Sequence, residues 1–297
     1  MGPQVRVCVL LAALVGGCQN PKTGAPLTLA DVFEPLRPST PAATAPADGG
    51  ESFSVAGDAQ TPRTILQLHF DVLRTQAPVG TFSQSDKIWN HLDEKVVPAE
   101  LAAVLQKNGL RIGRGKMSAW HPIKAILDLE KAVQAFQNGI TLHNGLPLTI
   151  ELDQRPQDQS PFVYRPDGTL RGLRLTAGMN LLRIEYAIPV THPDSVLIEM
   201  MPETRLEAPE PRLTVNGWTQ RPPVRPSEIF RELSVRMLVG PDEFVAVGPS
   251  SAVTMPHTLG ALMLIDQVEN QPRESVLFIT PRVIRKQIKP ALVSGGG

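Results

Sequence analysis

Hydrophobic and polar side chains alternate from Leu66 to Val72, which is typical of a strand with one buried face. In the second half of the chain, similar apolar segments follow one another between turn-forming Asn, Gly, Pro and Asp residues. The pattern there predicts an antiparallel β domain. Its candidate strands are 140–152, 170–176, 180–188, 195–201, 212–216, 229–239, 243–248, 261–268 and 275–284.

Helical spacing is confined to the stretch before residue 139. A proline at the first turn and a glycine after the last turn are the usual boundaries of such helices. The predicted helices are 85–95, 98–107 and 122–137, and a short strand is predicted at 110–113. The sequence therefore predicts an α+β fold, with a small N-terminal α/β module followed by a mainly antiparallel β domain.

The chain begins with Arg6, an apolar run from Val7 to Val15, and the quartet Val15-Gly16-Gly17-Cys18. This order is that of an export signal, and the run is shorter than the roughly 20 residues of a membrane-spanning helix. The quartet resembles the lipobox of bacterial lipoproteins. The resemblance implies cleavage before Cys18 and a covalent lipid on its thiol. The alternative is an ordinary secretory signal with a chance cysteine, and Cys8 would leave with either signal.

Residues 19–62 contain seven prolines and little apolar surface. Such a segment cannot offset the entropy of ordering, so we expect an extended tether. Five segments are thus predicted along the chain. They are a signal peptide at 1–17, a lipidated tether at 18–62, the α/β module at 63–138, the β domain at 139–290 and a flexible tail at 291–297.

A segment near the C-terminus, Glu274 to Ile284, reads Glu-Ser-Val-Leu-Phe-Ile-Thr-Pro-Arg-Val-Ile. It resembles the closing segment of bacterial secretins, the outer-membrane ring proteins of type II and III secretion and of type IV pili. In that family an acidic residue leads an apolar strand that ends in Ile-Thr-Pro-Arg. The positions that carry the resemblance here are Glu274, Phe278, Ile279, Thr280, Pro281 and Arg282.

Upstream segments fit the same order. Residues 195–202 resemble a secretin strand that ends in proline, and residues 241–248 resemble a secretin hairpin. The hairpin positions are Gly240, Pro241, Asp242 and Gly248. The glycine-rich gate segment of secretins is replaced by 255–260, which matches it only at Leu259 and Gly260. The alternative is an unrelated β-sandwich whose last strand has a similar sequence.

Pro281 lacks a backbone donor, so it predicts a sheet edge or a strand end. Strands near 195–201 and 275–284 are expected to be edge strands, and they could pair across subunits because their unpaired backbone groups favour pairing with another strand.

Composition excludes several functions. Lys and Arg number 29 against 29 Asp and Glu, and a neutral chain argues against nucleic-acid binding. The histidines are not spaced as metal ligands, and no nucleophile elbow is present. We therefore expect no catalytic residues, no metal and no cofactor besides the lipid on Cys18.

Four residues outside the secretin-like positions are candidate contact residues: Trp218, Arg285, Lys286 and Lys289. Trp218 follows an Asn-Gly turn, and the three basic residues could contact anionic lipid or an acidic partner.

Together these features predict a non-enzymatic, membrane-tethered lipoprotein of the cell envelope, on the periplasmic side of the outer membrane. It would be a structural or assembly component of a secretion or pilus-type system, with copies of itself or apparatus proteins as partners. The alternative is a tethered ligand-binding domain for a polysaccharide, peptide or protein. An aromatic cleft around Trp120 or Trp218 would favour that alternative. An unrecognised envelope hydrolase is the third hypothesis.

Overall fold

A computed structural model describes residues 63–142, 146–152, 156–206 and 226–288. The signal peptide, Cys18, the tether, the candidate strand 212–216, Trp218, Lys289 and the tail lie outside the described residues.

The described residues form fourteen strands and three α-helices, which confirms the α+β class. The strands are β1 Arg63–Pro78, β2 Leu110–Lys116, β3 Val133–Leu142, β4 Leu148–Glu151, β5 Gln157–Gln159, β6 Phe162–Tyr164, β7 Leu170–Gly172, β8 Leu175–Ala187, β9 Val196–Leu206, β10 Ser227–Ile229, β11 Val235–Val239, β12 Glu243–Pro249, β13 Ile265–Val268 and β14 Gln271–Ile288. The helices are α1 Ala99–Lys107, α2 Trp120–Leu129 and α3 Leu259–Leu264. Short 3₁₀ turns lie at Trp89–His91, Glu94–Val96, Met117–Ala119, Arg231–Leu233 and Ser251–Thr254.

Two six-stranded sheets dominate the fold. Sheet 1 has the order β2-β12-β14-β1-β3, with β13 also paired to β14. Sheet 2 has the order β10-β9-β8-β4, with β11 paired to β9 and β5 to β8. All pairs of named strands are antiparallel, as the sequence predicted for the second half of the chain. The boundary between residues 138 and 139 falls inside β3, and sheet 1 takes strands from both sides of it.

Alternation along the strands of sheet 1 creates two separate cores. On the inner face, Phe70 and Ile279 are fully buried in a cluster that includes Ile184 and Ile198 of sheet 2. On the outer face, a second cluster joins strand residues to α2 and to the 3₁₀ turn that carries Trp89. Its buried members are Ala77, Phe82, Ile88, Trp89, Ile123, Leu127, Phe244, Ala246, Val276 and Phe278. Each large side chain buried in this way contributes about 1.5–3 kcal/mol.

The predicted helix 122–137 is wrong in its second half. Helix α2 ends at Leu129, where Lys131 adopts a φ of 52°. The Lys131 N–H donates to Asp128 O at 3.2 Å, and the Ala132 N–H donates to Leu127 O at 2.9 Å. These two bonds form a Schellman motif, which ends the helix and turns the chain into β3.

Two further segments differ from the sequence prediction. The predicted helix 85–95 is replaced by two 3₁₀ turns, and the candidate strand 261–268 begins as helix α3. Thr258 starts this helix, because its Oγ1 accepts the Ala261 N–H at 3.3 Å as an N-cap. The predicted helix 98–107 is confirmed as α1, with Pro98 at its N-cap.

Of the two predicted edge strands, β9 is an interior strand, whereas β14 is interior only up to Ile279, because its described residues from Thr280 onward pair with β1 alone. Strand β9 lies between β8 and the pair β10 and β11, and β14 lies between β1 and the pair β12 and β13. Pro281 is tolerated inside β14 because pairing with β12 ends at Ile279, two residues earlier.

The predicted hairpin at Gly240–Asp242 is a turn between the two sheets. The Glu243 N–H donates to Gly240 O at 3.2 Å, so a turn forms at the expected place. The strand before it, β11, pairs with β9 in sheet 2, whereas the strand after it, β12, belongs to sheet 1. Gly248 lies within β12, where a Cβ would come 3.0 Å from the Trp89 indole.

Candidate functional site

The secretin-like segment forms β14, a central strand of sheet 1. Its leading residue, Glu274, is completely buried. Glu274 Oε1 accepts the backbone N–H groups of Phe82 and Ser83, the latter at 3.0 Å. In the described part of the chain, Glu274 Oε2 has no hydrogen-bond partner. Glu274 therefore fastens the loop after β1 to the sheet.

Phe278 belongs to an aromatic cluster on the outer face of sheet 1. Its ring centroid lies 5.1 Å from that of Trp120 and 6.0 Å from that of Phe244. The Trp120 and Phe244 centroids are 5.9 Å apart, and all three pairs are T-shaped, which is a favoured geometry for aromatic rings. Phe244 and Phe278 are buried, whereas Trp120 is half-buried at the surface.

A recess of about 190 Å³ opens beside this cluster, and we refer to it as the Trp120 recess. Its apolar residues are Val72, Leu73, Met117, Trp120, Phe244 and Phe278, and its polar residues are Asp71, Gln137, Thr280 and Arg282. Sheet 1 brings the strand residues together because β12, β14, β1 and β3 are neighbours, while Met117 comes from a 3₁₀ turn and Trp120 from the start of α2.

Charged side chains form a row at the mouth of the recess. Arg282 Nη2 lies 3.2 Å from Asp71 Oδ2, and His69 Nε2 lies 3.2 Å from Asp71 Oδ1. His69 Nδ1 is 3.0 Å from Thr141 Oγ1. One neutral tautomer of His69 satisfies both of its contacts, with Nε2–H donating to Asp71 and Nδ1 accepting from Thr141. The row combines one carboxylate and one guanidinium, so its formal charge is zero.

An open groove of about 730 Å³ lies on the other side of Met117. It is lined by the turn residues Gly240, Pro241 and Asp242, together with Arg114, Lys116, Met117, Ser118, Ser195, Leu238 and Glu243. Arg114 is already engaged there, because its Nη1 donates to Leu238 O at 3.1 Å and lies 3.5 Å from Glu243 Oε2. The groove has charges of both signs and is wide open to solvent.

The predicted basic contact residues lie apart from the recess. Arg285 pairs with Asp194 at 2.6 Å, in the turn before β9. Lys286 is exposed near the end of β14. Alternation along β14 places Arg282 on the outer face of sheet 1 and Arg285 on the opposite face.

Sequence analysis missed Asp71, His69, Gln137 and Met117. His69 and Asp71 are the polar positions of the first predicted strand, so they were available as outward-facing residues. Their approach to Arg282 depends on the register of β1 against β14, in which Asp71 faces Thr280 and His69 faces Arg282. That register joins residues more than two hundred positions apart.

Among the titratable groups of the described residues, two have shifted pKa values, and neither belongs to the recess. Burial raises the pKa of the Tyr186 phenol. The Thr169 hydroxyl and backbone N–H, which donate to Asp167, lower the pKa of that carboxyl. Among the described residues, no three His, Cys, Asp or Glu side chains converge as metal ligands. Within the same residues, no helix is long and apolar enough to cross a bilayer.

No protein-family model matches the chain, and no curated protein matches it. Among solved structures, it is similar to a chain of the Klebsiella pneumoniae type II secretion outer membrane complex of PulD, PulS and PulC. The sequence identity is 12%, the match covers 76% of this chain and 40% of that chain, and the TM-score is 0.20. It is also similar to Aeromonas hydrophila ExeD, with an identity of 13% and a TM-score of 0.19, and this match covers 75% of this chain and 47% of ExeD. The match to the E. coli K12 type II secretin GspD has an identity of 14% and a TM-score of 0.21, and it covers 75% of this chain and 49% of GspD.

The chain thus spans less than half the length of these three chains. Likenesses with TM-scores near 0.2 carry no inference about fold or function. Any relation to secretins therefore rests on the residues of the chain itself.

Proposed function

We propose that this protein is a non-enzymatic, secretin-related structural component of a bacterial secretion or pilus-type system. In this proposal a lipid on Cys18 holds it at the periplasmic side of the outer membrane, and it assembles with a second copy of itself through strand β3. The proposal is supported by the secretin-like positions, which lie in the central strand β14, and by the properties of β3.

The open edge of β3 is the observation that carries the proposal. Strand β3 pairs with β1 on one side and ends sheet 1 on the other, with no further strand against it among the described residues. Its ten residues include no charge and no proline, and Val133 is 51% exposed. Soluble proteins usually protect such an edge with lysine, proline or a covering element. A long uncharged edge favours pairing with another strand.

A second copy is the partner that fits this edge best. An antiparallel pair of identical strands is self-complementary, and an uncharged strand meets no like charge across the symmetry axis. The opposite end of sheet 1 is less open, because the Arg114 backbone of β2 forms a bridge with Asp93. Strand pairing through β3 alone therefore gives a closed pair of copies.

Two lysines on the edge should abolish this pairing. We expect the double variant Ala135→Lys with Asn138→Lys to be monomeric where the wild-type chain dimerises, because the paired strands would bring four positive charges together. Both positions are exposed, so the free energy of unfolding of the monomer should change by only about 0.5 kcal/mol. Mass photometry and sedimentation of the full chain in detergent would measure the dimer fraction against concentration.

The matched control is Leu129→Lys with Val190→Lys, which adds the same charge at exposed positions outside β3. This control should dimerise like the wild type. A wild-type chain that remains monomeric at all concentrations, or a β3 variant that still dimerises, would contradict the proposed assembly.

The proposed anchor is tested separately. Cys18→Ser should remove metabolic palmitate labelling and move the protein from the membrane to the soluble fraction, because each buried CH₂ of a lipid contributes about 0.8 kcal/mol to membrane binding. Cys8→Ser, which changes the other cysteine, should leave both properties unchanged. Retention of the Cys18 variant in the membrane would assign membrane binding to the folded body.

A further inference from the structure

We propose that the Trp120 recess binds one ring of a neutral saccharide. The size of the recess is the first argument. Its volume is about 190 Å³, below the roughly 300 Å³ at which pockets for drug-sized ligands begin. The recess therefore accommodates a single compact ring or one side chain, with the rest of a longer ligand outside it.

The distribution of polarity is the second argument. The half-buried Trp120 ring and the exposed Met117 offer an apolar surface, backed by the buried rings of Phe244 and Phe278, on which the C–H face of a sugar ring can stack. The mouth carries an acceptor in Asp71, a donor in Arg282, and groups that do both in Thr280 and Gln137. A hydrocarbon bound here would form no hydrogen bond with any of these polar groups.

Hydroxyl groups match this mouth better than other polar groups. Each sugar hydroxyl both donates and accepts, so neighbouring hydroxyls can serve Asp71 and Arg282 at once without breaking their ion pair. An anionic ligand would meet the Asp71 carboxylate, and the charge of Arg282 is already balanced by that carboxylate at 3.2 Å. A tyrosine side chain of a peptide offers only one hydroxyl for four polar groups.

The proposed site does not depend on assembly through β3 or on the secretin relation, because its residues come from one copy of the folded body. Gln137 lies on β3, but the lysine variant proposed for the edge leaves Gln137 in place. Saccharide binding can therefore succeed or fail independently of dimerisation.

Calorimetric titration of the full chain, in a detergent without a sugar headgroup, tests the site. The probes are chitotetraose, cellotetraose and maltotetraose, with a neutral tyrosine-containing pentapeptide for comparison. We expect millimolar binding of at least one tetrasaccharide. Arg282→Gln and Asp71→Asn should each weaken it about tenfold, as the loss of one charge-assisted hydrogen bond requires.

Arg285→Gln is the matched control. Arg285 lies three residues further along the same strand, is similarly exposed and also pairs with an aspartate, but it faces away from the recess. Its variant should bind like the wild type. Failure of all three saccharides to bind, binding that Arg282→Gln and Asp71→Asn leave unchanged, or binding of the peptide alone would overturn the proposal. Trp120→Phe, a conservative change, should also weaken binding while the unfolding transition is retained.

Discussion

Replacing Glu274 with alanine is expected to lower the free energy of unfolding by about 3 kcal/mol, a large fraction of the 5–15 kcal/mol typical of a folded domain. The carboxylate accepts two backbone N–H groups, from Phe82 and Ser83, and both residues are buried. Alanine leaves these donors without a partner and without water. The variant also avoids the free-energy cost of burying a carboxylate, which offsets part of this destabilisation. The expected loss is therefore smaller than the sum of the two hydrogen bonds.

Urea unfolding followed by tryptophan fluorescence would measure this effect. Trp89 is a suitable reporter, because its Nε1 donates to Phe82 O at 3.1 Å in the loop that Glu274 holds. Glu274→Gln is the conservative control, since the amide retains an acceptor at the Oε1 position and should cost only about 1 kcal/mol. A Glu274→Ala chain as stable as wild type would show that the loop does not depend on this residue.

The fold class and most strands follow from local patterns. Alternation at Leu66 to Val72 identified β1, and the apolar segment around Ile279 identified β14. Both patterns arise because one face of each strand is buried, and this burial produces apolar residues at fixed positions in the sequence. Their extension to sixteen and eighteen residues was not predicted, because the alternation of apolar and polar residues covers only part of each strand.

The end of α2 shows why one helix was overextended. The sequence predicts a helix that continues to residue 137, but the left-handed position that ends it is held by Lys131, which has no sequence signature for that conformation. Val133 and Phe136 have helical spacing, but both lie in a strand that contains a bulge opposite Arg74 and Thr75, where Phe136 packs against the inner core. This segment becomes a strand because it pairs with the side of β1 that β14 leaves open. Such a long-range contact is a tertiary effect.

Long-range strand pairing also determines which strands lie at the sheet edges and which residues meet at the candidate site, so local sequence patterns could predict neither. Strand order cannot be read from alternation, so β9 and β14 could be identified as strands but not as interior strands. Thr280 and Arg282 were singled out for their resemblance to secretins. Their role at the recess follows only from pairing with β1, which brings Asp71 beside them.

Gly260→Ala is expected to destabilise the chain by about 3 kcal/mol or more, because the substitution places a methyl group against backbone. A Cβ at Gly260 would overlap the carbonyl group of Gly109 and lie 2.8 Å from Gly109 Cα. The two segments are also hydrogen-bonded there, since the Gly260 N–H donates to Asn108 O at 2.7 Å. Gly109 has a φ of 80°, a conformation that glycine adopts without steric cost.

This prediction bears on residues 255–260, the segment that the sequence comparison sets against the secretin gate. Leu259 is fully buried and Gly260 lies in α3 against the end of α1, so the contact fastens the segment to the body. A movable gate would need this contact to be weak. Chemical unfolding of Gly260→Ala should be compared with Gly240→Ala, where the added Cβ approaches only the flexible Glu243 side chain at 3.3 Å. We expect Gly240→Ala to match the wild type within about 1 kcal/mol. If Gly260→Ala also matches the stability of the wild type within about 1 kcal/mol, the segment is held loosely enough to move as a gate.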